Sequence, residues 1–260
     1  METTASARQA ASGEDQIERF GGCAVRRLGH MIHRSTPLAA GPYHYEALVL
    51  APGDQVERPL LGSAALWMLE GEAVVLTPDG SAAVPAGSAA LIESGGLSVS
   101  TSVRSVMLLA GVEAVDADGP RGVRTVGADE IKLVEKPWGE ERWINGRSPG
   151  FAFKRIVLRA GFKTSLQYHE MKQETNLLLD GAAKLHHAVS AGDHEGPTAA
   201  EPICGVTAVD IEPEILHRIE AVTDLVLFEV STPHLDDVIR ISDDAGRPDG
   251  YIPAEHGGGG

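Results

Sequence analysis

The stretch from Gly161 to Gly181, GFKTSLQYHEMKQETNLLLDG, decides how the chain is read. It sets two Gln, a His and two Glu in the run from Gln167 to Glu174, then closes on an apolar run and a turn. In a helix the apolar residues would recur at i, i+3, i+4 and i+7, and Leu166, Tyr168, Met171, Leu177, Leu178 and Leu179 do not keep that period. In a strand, alternate side chains share a face. Gln167 and His169 then point the same way, Tyr168 points outward, and Glu174 approaches from the start of the next strand. Three ligand-type side chains converge on one side of a sheet.

The same punctuation runs outward in both directions. Short apolar runs such as YEALVLAPGD, ALWMLEGEAVVLTPDG, RSVMLLAGVE, FAFKRIVLRAGF and DLVLFEVSTP are broken by Gly, Pro and Asp. This spacing predicts antiparallel β-structure, a sandwich or barrel, with the Glu-Gly and Asp-Gly pairs as hairpin turns. The order of strand, Gly, polar stretch, strand, acidic-Gly turn and strand occurs twice, from Leu48 and from Ile156. Two copies of one β-module are expected, with a boundary near residues 116–130. Residues 1–20 read as a flexible arm, 21–118 as a first module, 130–250 as a second and 251–260 as a flexible tail, with minor helices at the termini.

The formal net charge is −15, which argues against nucleic acid and anionic membrane surfaces as partners. An anionic substrate would need a basic pocket built against that field. The two cysteines, Cys23 and Cys204, stand far apart in no CxxC arrangement, which fits a reducing compartment, although one long-range bridge stays open. No leader-like run and no span of roughly 20 apolar residues is present, so a cytoplasmic protein is expected. His30, His33 and His44 match no metal template and read as structural.

The spacing Gly161-x5-Gln167-x-His169-x4-Glu174-x6-Gly181 resembles the first motif of the cupins, with Gln in place of the first His. The run EPEILHRIEAVTDLVLFEVSTP, from Glu212, resembles the second, in which a Pro-containing turn precedes a further ligand, here His217. Glu214 and Ile215 stand where that motif has a Gly. The resemblance implies an all-β chain of two tandem antiparallel jelly-roll barrels. It also implies one divalent metal held by Gln167, His169, Glu174 and His217 in the second barrel, zinc first, with iron, manganese, cobalt or nickel as alternatives. The first module cannot hold a metal: its equivalent positions are Pro59, Leu61, Ala64 and Ala90. It is expected to pack on the second barrel, complete a dimer interface or cover the active mouth.

VEKPWGEERW, from Val134, resembles the entry strand of mannose-6-phosphate isomerases, SLQYHEMKQE resembles the core of the type II phosphomannose isomerases, and FEVSTPHLDDVIRISDDAGR resembles the tail of sugar-isomerase-like cupins. No guanylyl-transferase module is seen. The implied reaction is metal-dependent isomerisation or epimerisation of a sugar phosphate or related polyhydroxylated metabolite by proton transfer through an enediolate. Lys136 and Arg218 are the cations for the substrate, ahead of Lys154 and Lys163, and Glu170, His186 and Lys136 are the candidate bases. His186 and His187 lie on opposite faces of a strand, so one of them faces the interior. A homodimer acting on a phosphorylated sugar is expected. Another metal-cupin enzyme, an iron dioxygenase or lyase, is the alternative, and a non-catalytic sugar-binding protein a third.

Overall fold

A computed structural model describes residues 16–27, 43–58, 62–112, 121–190 and 192–253. The chain opens with β1 (Gln16–Phe20) and β2 (Cys23–Arg27). There follow β3 (His44–Leu50), β4 (Gln55–Arg58), β5 (Gly62–Glu70), β6 (Glu72–Thr77) and β7 (Gly80–Pro85). Then come β8 (Ala89–Ser94), β9 (Leu97–Ser100), β10 (Ser105–Gly111) and β11 (Gly122–Val126). The second half contains β12 (Lys132–Lys136), β13 (Gly139–Trp143), β14 (Ala152–Leu158), β15 (Leu166–Tyr168), β16 (Glu174–Asp180) and β17 (Ala182–Ala188). It ends with β18 (Thr198–Cys204), β19 (Thr207–Ile211), β20 (His217–Ala221), β21 (Leu225–Ser231) and β22 (Ile239–Ser242).

These strands form two barrels, each of two facing sheets. The first barrel pairs the sheet β11-β8-β5-β10-β3 with β4-β9-β6-β7. The second pairs β1-β2-β19-β16-β21-β14-β13-β12 with β18-β17-β20-β15-β22. The fold is the all-β double barrel expected. The described residues contain no helical element, and the terminal segments where minor helices were expected lie mostly outside them.

Period-two burial explains the strands. In β6 the burial alternates strictly, with Ala73 and Val75 inside the first barrel and Val74 and Leu76 exposed. Strand β10 is buried throughout because both its faces are covered. Met107 and Leu109 fill the first barrel, while Leu108 and Ala110 face the second. The barrels meet sheet against sheet across a cluster that includes Tyr43, Trp67 and Leu108 from one side and Phe153, Leu177 and Phe228 from the other. Trp67 and Phe228 lie 6.5 Å apart by ring centroids, and Tyr43 Oη lies 3.1 Å from Thr175 Oγ1. Within ALWMLEGEAVVL, residues 65–76, Trp67 packs between the barrels and Leu66, Met68, Ala73 and Val75 fill the first one, while Val74 and Leu76 stay exposed.

Four sequence expectations change. Residues 16–20 are not arm but strand β1, and residues 21–27, assigned to the first module, contribute β2 to the second barrel by pairing with β19. Cys23 and Val25 supply apolar surface that the second barrel's core takes up. Strand β11, beyond the expected end of the first module at 118, closes its sheet against β8. The acidic-Gly pairs at Gly71 and Gly181 are not hairpins: each is a corner where the chain leaves one sheet for the facing one, between β5 and β6 and between β16 and β17. Gly71 has φ +76° and a Cβ there would sit 2.4 Å from the Arg104 carbonyl; Gly181 has φ +97° and would meet Thr223 Oγ1 at 2.9 Å. Only glycine takes such a corner without strain. Asp79-Gly80, between paired β6 and β7, does turn a hairpin.

Candidate metal centre

Strands β15, β16 and β20 bring His169, Glu174 and His217 together inside the second barrel, with ligand atoms all within 4.8 Å of one another. His169 follows β15, Glu174 opens β16 and His217 opens β20. All three are buried. The turn ahead of His217 is built where the motif lacks its glycine: Glu214 takes φ +63°, the left-handed conformation. Its N–H donates to the His169 carbonyl at 2.7 Å and its carbonyl accepts from His194 Nε2 at 2.8 Å. Tyr168 stacks on the His194 ring at 3.7 Å, away from the cluster.

The proton positions of this cluster suit a cation. His217 Nδ1–H donates to the Ile215 carbonyl at 2.9 Å, and His169 Nδ1–H donates to the Asp237 carbonyl. Each imidazole therefore turns an Nε2 lone pair toward Glu174, at 3.2 Å from His217 and 3.5 Å from His169. Burial, and then the Lys172 ammonium, lower the pKa of His169, which keeps it neutral. His217 Nε2 is buried with no hydrogen-bond partner. Two imidazole nitrogens and a carboxylate, the latter balanced by the Lys172 ammonium, converge on one buried point and form a donor set that a divalent cation can occupy. The residues present fit a divalent metal.

Gln167 lies at the edge of this cluster rather than within it. Its Nε2 is 3.4 Å from His169 Nε2, while its Oε1 accepts from Ser165 Oγ at 2.6 Å. The carbonyl oxygen faces the cluster only with the amide inverted. The four-ligand set expected from the motif is in this geometry a three-residue set with Gln167 beside it.

Beside the cluster runs a buried ladder of ion pairs that the sequence reading did not assemble. Lys172 Nζ donates to Glu174 Oε2 and lies 2.9 Å from Glu229 Oε1. Lys154 Nζ is 3.2 Å from the same Glu229 oxygen, and Lys136 Nζ is 3.6 Å from Glu141 Oε1. Burial raises the Glu141 carboxyl, but Lys154, Lys136 and the Trp143 N–H outweigh it and bring it down to about 2. Glu174 and Glu229 are likewise lowered despite burial, each by neighbouring lysines, Lys172 first for Glu174 and Lys154 first for Glu229. Burial lowers Lys172, and Glu174 and Glu229 more than reverse it. Strand parity carries the signal for these residues. Lys154 shares a face with Ile156, and Asn176 with Glu174, and Asn176, Glu229 and Lys154 stand opposite one another across β16, β21 and β14.

The cavity over the cluster measures about 80 Å³. Its charged lining is five basic side chains, Lys136, Lys154, Lys172, Arg240 and Arg247, against three carboxylates, Glu141, Glu174 and Glu229. A basic pocket thus exists inside an acidic chain. The segment after β21 closes it with Leu235 and Val238, and Asp237 fastens that segment by accepting from the backbone N–H groups of Glu170, Met171 and Lys172.

Several sequence-named residues fall elsewhere. Lys136 lines the cavity, and so does Lys154, ranked below it. Arg218 does not: it alternates with His217 and points to the opposite face, where Nη2 donates to the Ser242 carbonyl at 3.0 Å and to Asp244 at 3.3 Å. Lys163 pairs with that same Asp244 at 3.3 Å. Glu170 is exposed on the loop held by Asp237. His186 faces outward, 2.8 Å from Glu220 Oε2, while the inward member of the pair is buried His187, packed on Phe20. Glu170, His186 and Arg218 therefore stand outside the cluster and its cavity. Ala64 and Ala90 lie in the apolar core of the first barrel. His30, His33, Pro59 and Leu61 lie outside the described residues. Cys23 and Cys204 are both free, the first buried and the second exposed. No described helix is long and apolar enough to cross a membrane.

No family model and no curated protein matches the sequence. Solved structures do match. An oxalate decarboxylase of Bacillus subtilis, studied for its Mn(II) centres, superposes with a TM-score of 0.63 at 12% identity, over 92% of this chain and 81% of that one. The oxalate decarboxylase of Lactobacillus farciminis, in a formate complex, gives 0.61 at 13%, over 92% and 90%. An IolB-like protein of Salmonella typhimurium gives 0.64 at 12%, over 78% and 91%. At these identities the likeness is one of fold, and the fold is that of the two-barrel cupins.

Proposed function

We propose that the chain is a metal-dependent cupin enzyme that moves a proton between adjacent carbons of a small, oxygen-rich anionic metabolite. The observation that carries this reading is the pair of buried imidazole lone pairs facing Glu174 under a basic cavity. His169, Glu174 and His217 would hold a divalent metal, with Gln167 at its edge. A mixed nitrogen and oxygen set gives no preference for zinc, and the manganese of the Bacillus enzyme is equally suited. Such an ion supplies Lewis acidity toward a carbonyl or hydroxyl oxygen.

The chain's own residues do the rest. Lys136 and Lys154 offer ammonium groups to an anionic substrate, and Leu235 and Val238 shield the site from water. Of the three base candidates, Lys136 lines the cavity and Glu170 and His186 do not; Glu141 and Glu229, each held by lysines, line it beside the ligand set. A small polyhydroxylated acid, ahead of a sugar phosphate, is the substrate class proposed, in a cytoplasmic enzyme that is a homodimer; a monomer by light scattering would contradict the last point. Incubating the metal-loaded protein with aldose and ketose acids and phosphates in deuterated water tests the reaction. Deuterium entering the carbon beside the carbonyl, with no oxygen consumed, supports it; oxygen-dependent turnover contradicts it.

A second reading, cleavage of a carbon–carbon bond in a small acid, is favoured by the size of the cavity and by the likeness over both barrels to oxalate decarboxylases. Release of carbon dioxide in the same incubations identifies it.

A further inference from the structure

Lys172 occupies the position that sets the chemistry of the whole cavity. Its ammonium shares Glu174 with the metal cluster and Glu229 with Lys154, and only 4% of its side chain is exposed. Glu174 has its two oxygens engaged by Lys172 and by Asn176 Nδ2, the latter at 2.9 Å. A divalent ion held between His169 and His217 needs that same carboxylate. A second cation on the same buried carboxylate repels the first and draws off its charge, so metal binding weakens the hold of Glu174 on Lys172. Lys172 is therefore the internal counter-ion of Glu174 while no metal is held.

We propose that metal binding takes Glu174 from Lys172, and that the Lys172 ammonium, still held by Glu229, then becomes the binding group for a carboxylate of a small ligand seated on the metal. This rests on the metal reading above. Three observations point to the ligand class. The released ammonium keeps one carboxylate partner, Glu229, which Lys154 already occupies, so it needs a further anionic oxygen. The cavity lining carries more cations than carboxylates before any metal is added, so the loaded site favours an anion carrying more than one negative charge. The cavity, about 80 Å³, is far below the roughly 300 Å³ at which pockets for larger ligands begin. A ligand of a few carbons whose carboxylate lies next to the metal-binding oxygen meets all three conditions, and a hexose carrying a remote phosphate does not.

The test is calorimetric. Metal-stripped protein is titrated with Mn²⁺, and the loaded protein then with malonate, inorganic phosphate or erythritol. The wild type should bind malonate about tenfold or more tightly once loaded, and prefer it to both other probes. Lys172→Met should hold Mn²⁺ at least as tightly as the wild type, because a competing cation is gone, yet lose about tenfold or more in malonate affinity. If that variant does not fold by circular dichroism, Lys172→Gln carries the same titrations. Weaker Mn²⁺ binding by the folded variant, unchanged malonate affinity, or a preference for phosphate or erythritol overturns the proposal while leaving the metal reading intact. A wild type that binds neither Mn²⁺ nor Zn²⁺ overturns both.

Discussion

The two barrels share an architecture and differ in what fills them. Inside the first stand Leu48, Leu66, Met68, Ile92, Met107 and Leu109, all fully buried and all apolar. Inside the second an apolar floor around Leu158, Leu185 and Ile211 gives way, toward the mouth, to three lysines, three glutamates and two imidazoles. The first interior is stabilised by burial alone. The second holds charges that are costly to desolvate and that persist only because each is paired. The difference shows that the strand framework tolerates either filling, with the cluster of ligand-type side chains in the second barrel and an apolar interior in the first. The first barrel has a definite place: the outer face of the sheet containing β5 and β10 covers the back of the sheet that carries Glu174.

The contrast is broken most severely by removing one charge from the ladder. Glu141→Gln removes the buried carboxylate charge that faces Lys136 and Lys154 and should cost about 3–5 kcal/mol in denaturant unfolding. Its pH signature follows from sign. Glu141 has a folded value of about 2, below its unfolded one, so it stabilises the fold above the unfolded carboxyl range and loses that contribution as the pH falls toward 2. Metal-free wild type should therefore weaken steeply between about pH 4.5 and 2, and Glu141→Gln should flatten that slope. An equally steep slope in the variant would show that the ladder does not govern acid stability.

In the first barrel, Leu66→Ala should cost about 2–5 kcal/mol, at every pH alike, because it opens a cavity and touches no charge. Metal content should stay at the wild-type level. A lost metal in this variant would mean that the first barrel does more than support.

How much of this was legible in the sequence depended on range. His169 and Glu174 lie in one short segment whose alternation brings them together whatever the neighbours are, and His217 follows a recognisable turn. Lys172 was not singled out from the sequence, since its role depends on Glu229, which arrives from β21. Lys154, Glu141 and Asp237 depend in the same way on strand neighbours that spacing does not specify. Parity limited the inward choice to one of His186 and His187, but only the packing of Phe20 against His187 selects the second. Strand β2 was misassigned because a five-residue strand carries no mark of which barrel it joins. The acidic-Gly pairs were misread because a corner between sheets and a hairpin ask for the same left-handed glycine.

The smallest expected effect lies in the turn before His217. Its counterpart in the first barrel has a left-handed glycine, Gly87, with φ +79°, whereas the second carries Glu214 in that region. Glu214→Gly removes about 1–2 kcal/mol of steric cost and adds some unfolded-state entropy, so a gain in stability of under about 1 kcal/mol is expected in thermal melts. A loss of more than that would show that the Glu214 side chain itself supports the turn.

The central claim is that one barrel holds a metal and the other cannot. Elemental analysis of purified protein, dialysed after loading with Mn²⁺ or Zn²⁺, tests it directly. The wild type and Leu66→Ala should each retain about one ion per chain, and the double variant Glu174→Ala, His217→Ala should retain almost none, since removing two of three ligands leaves no site. Full retention by the double variant would contradict the account.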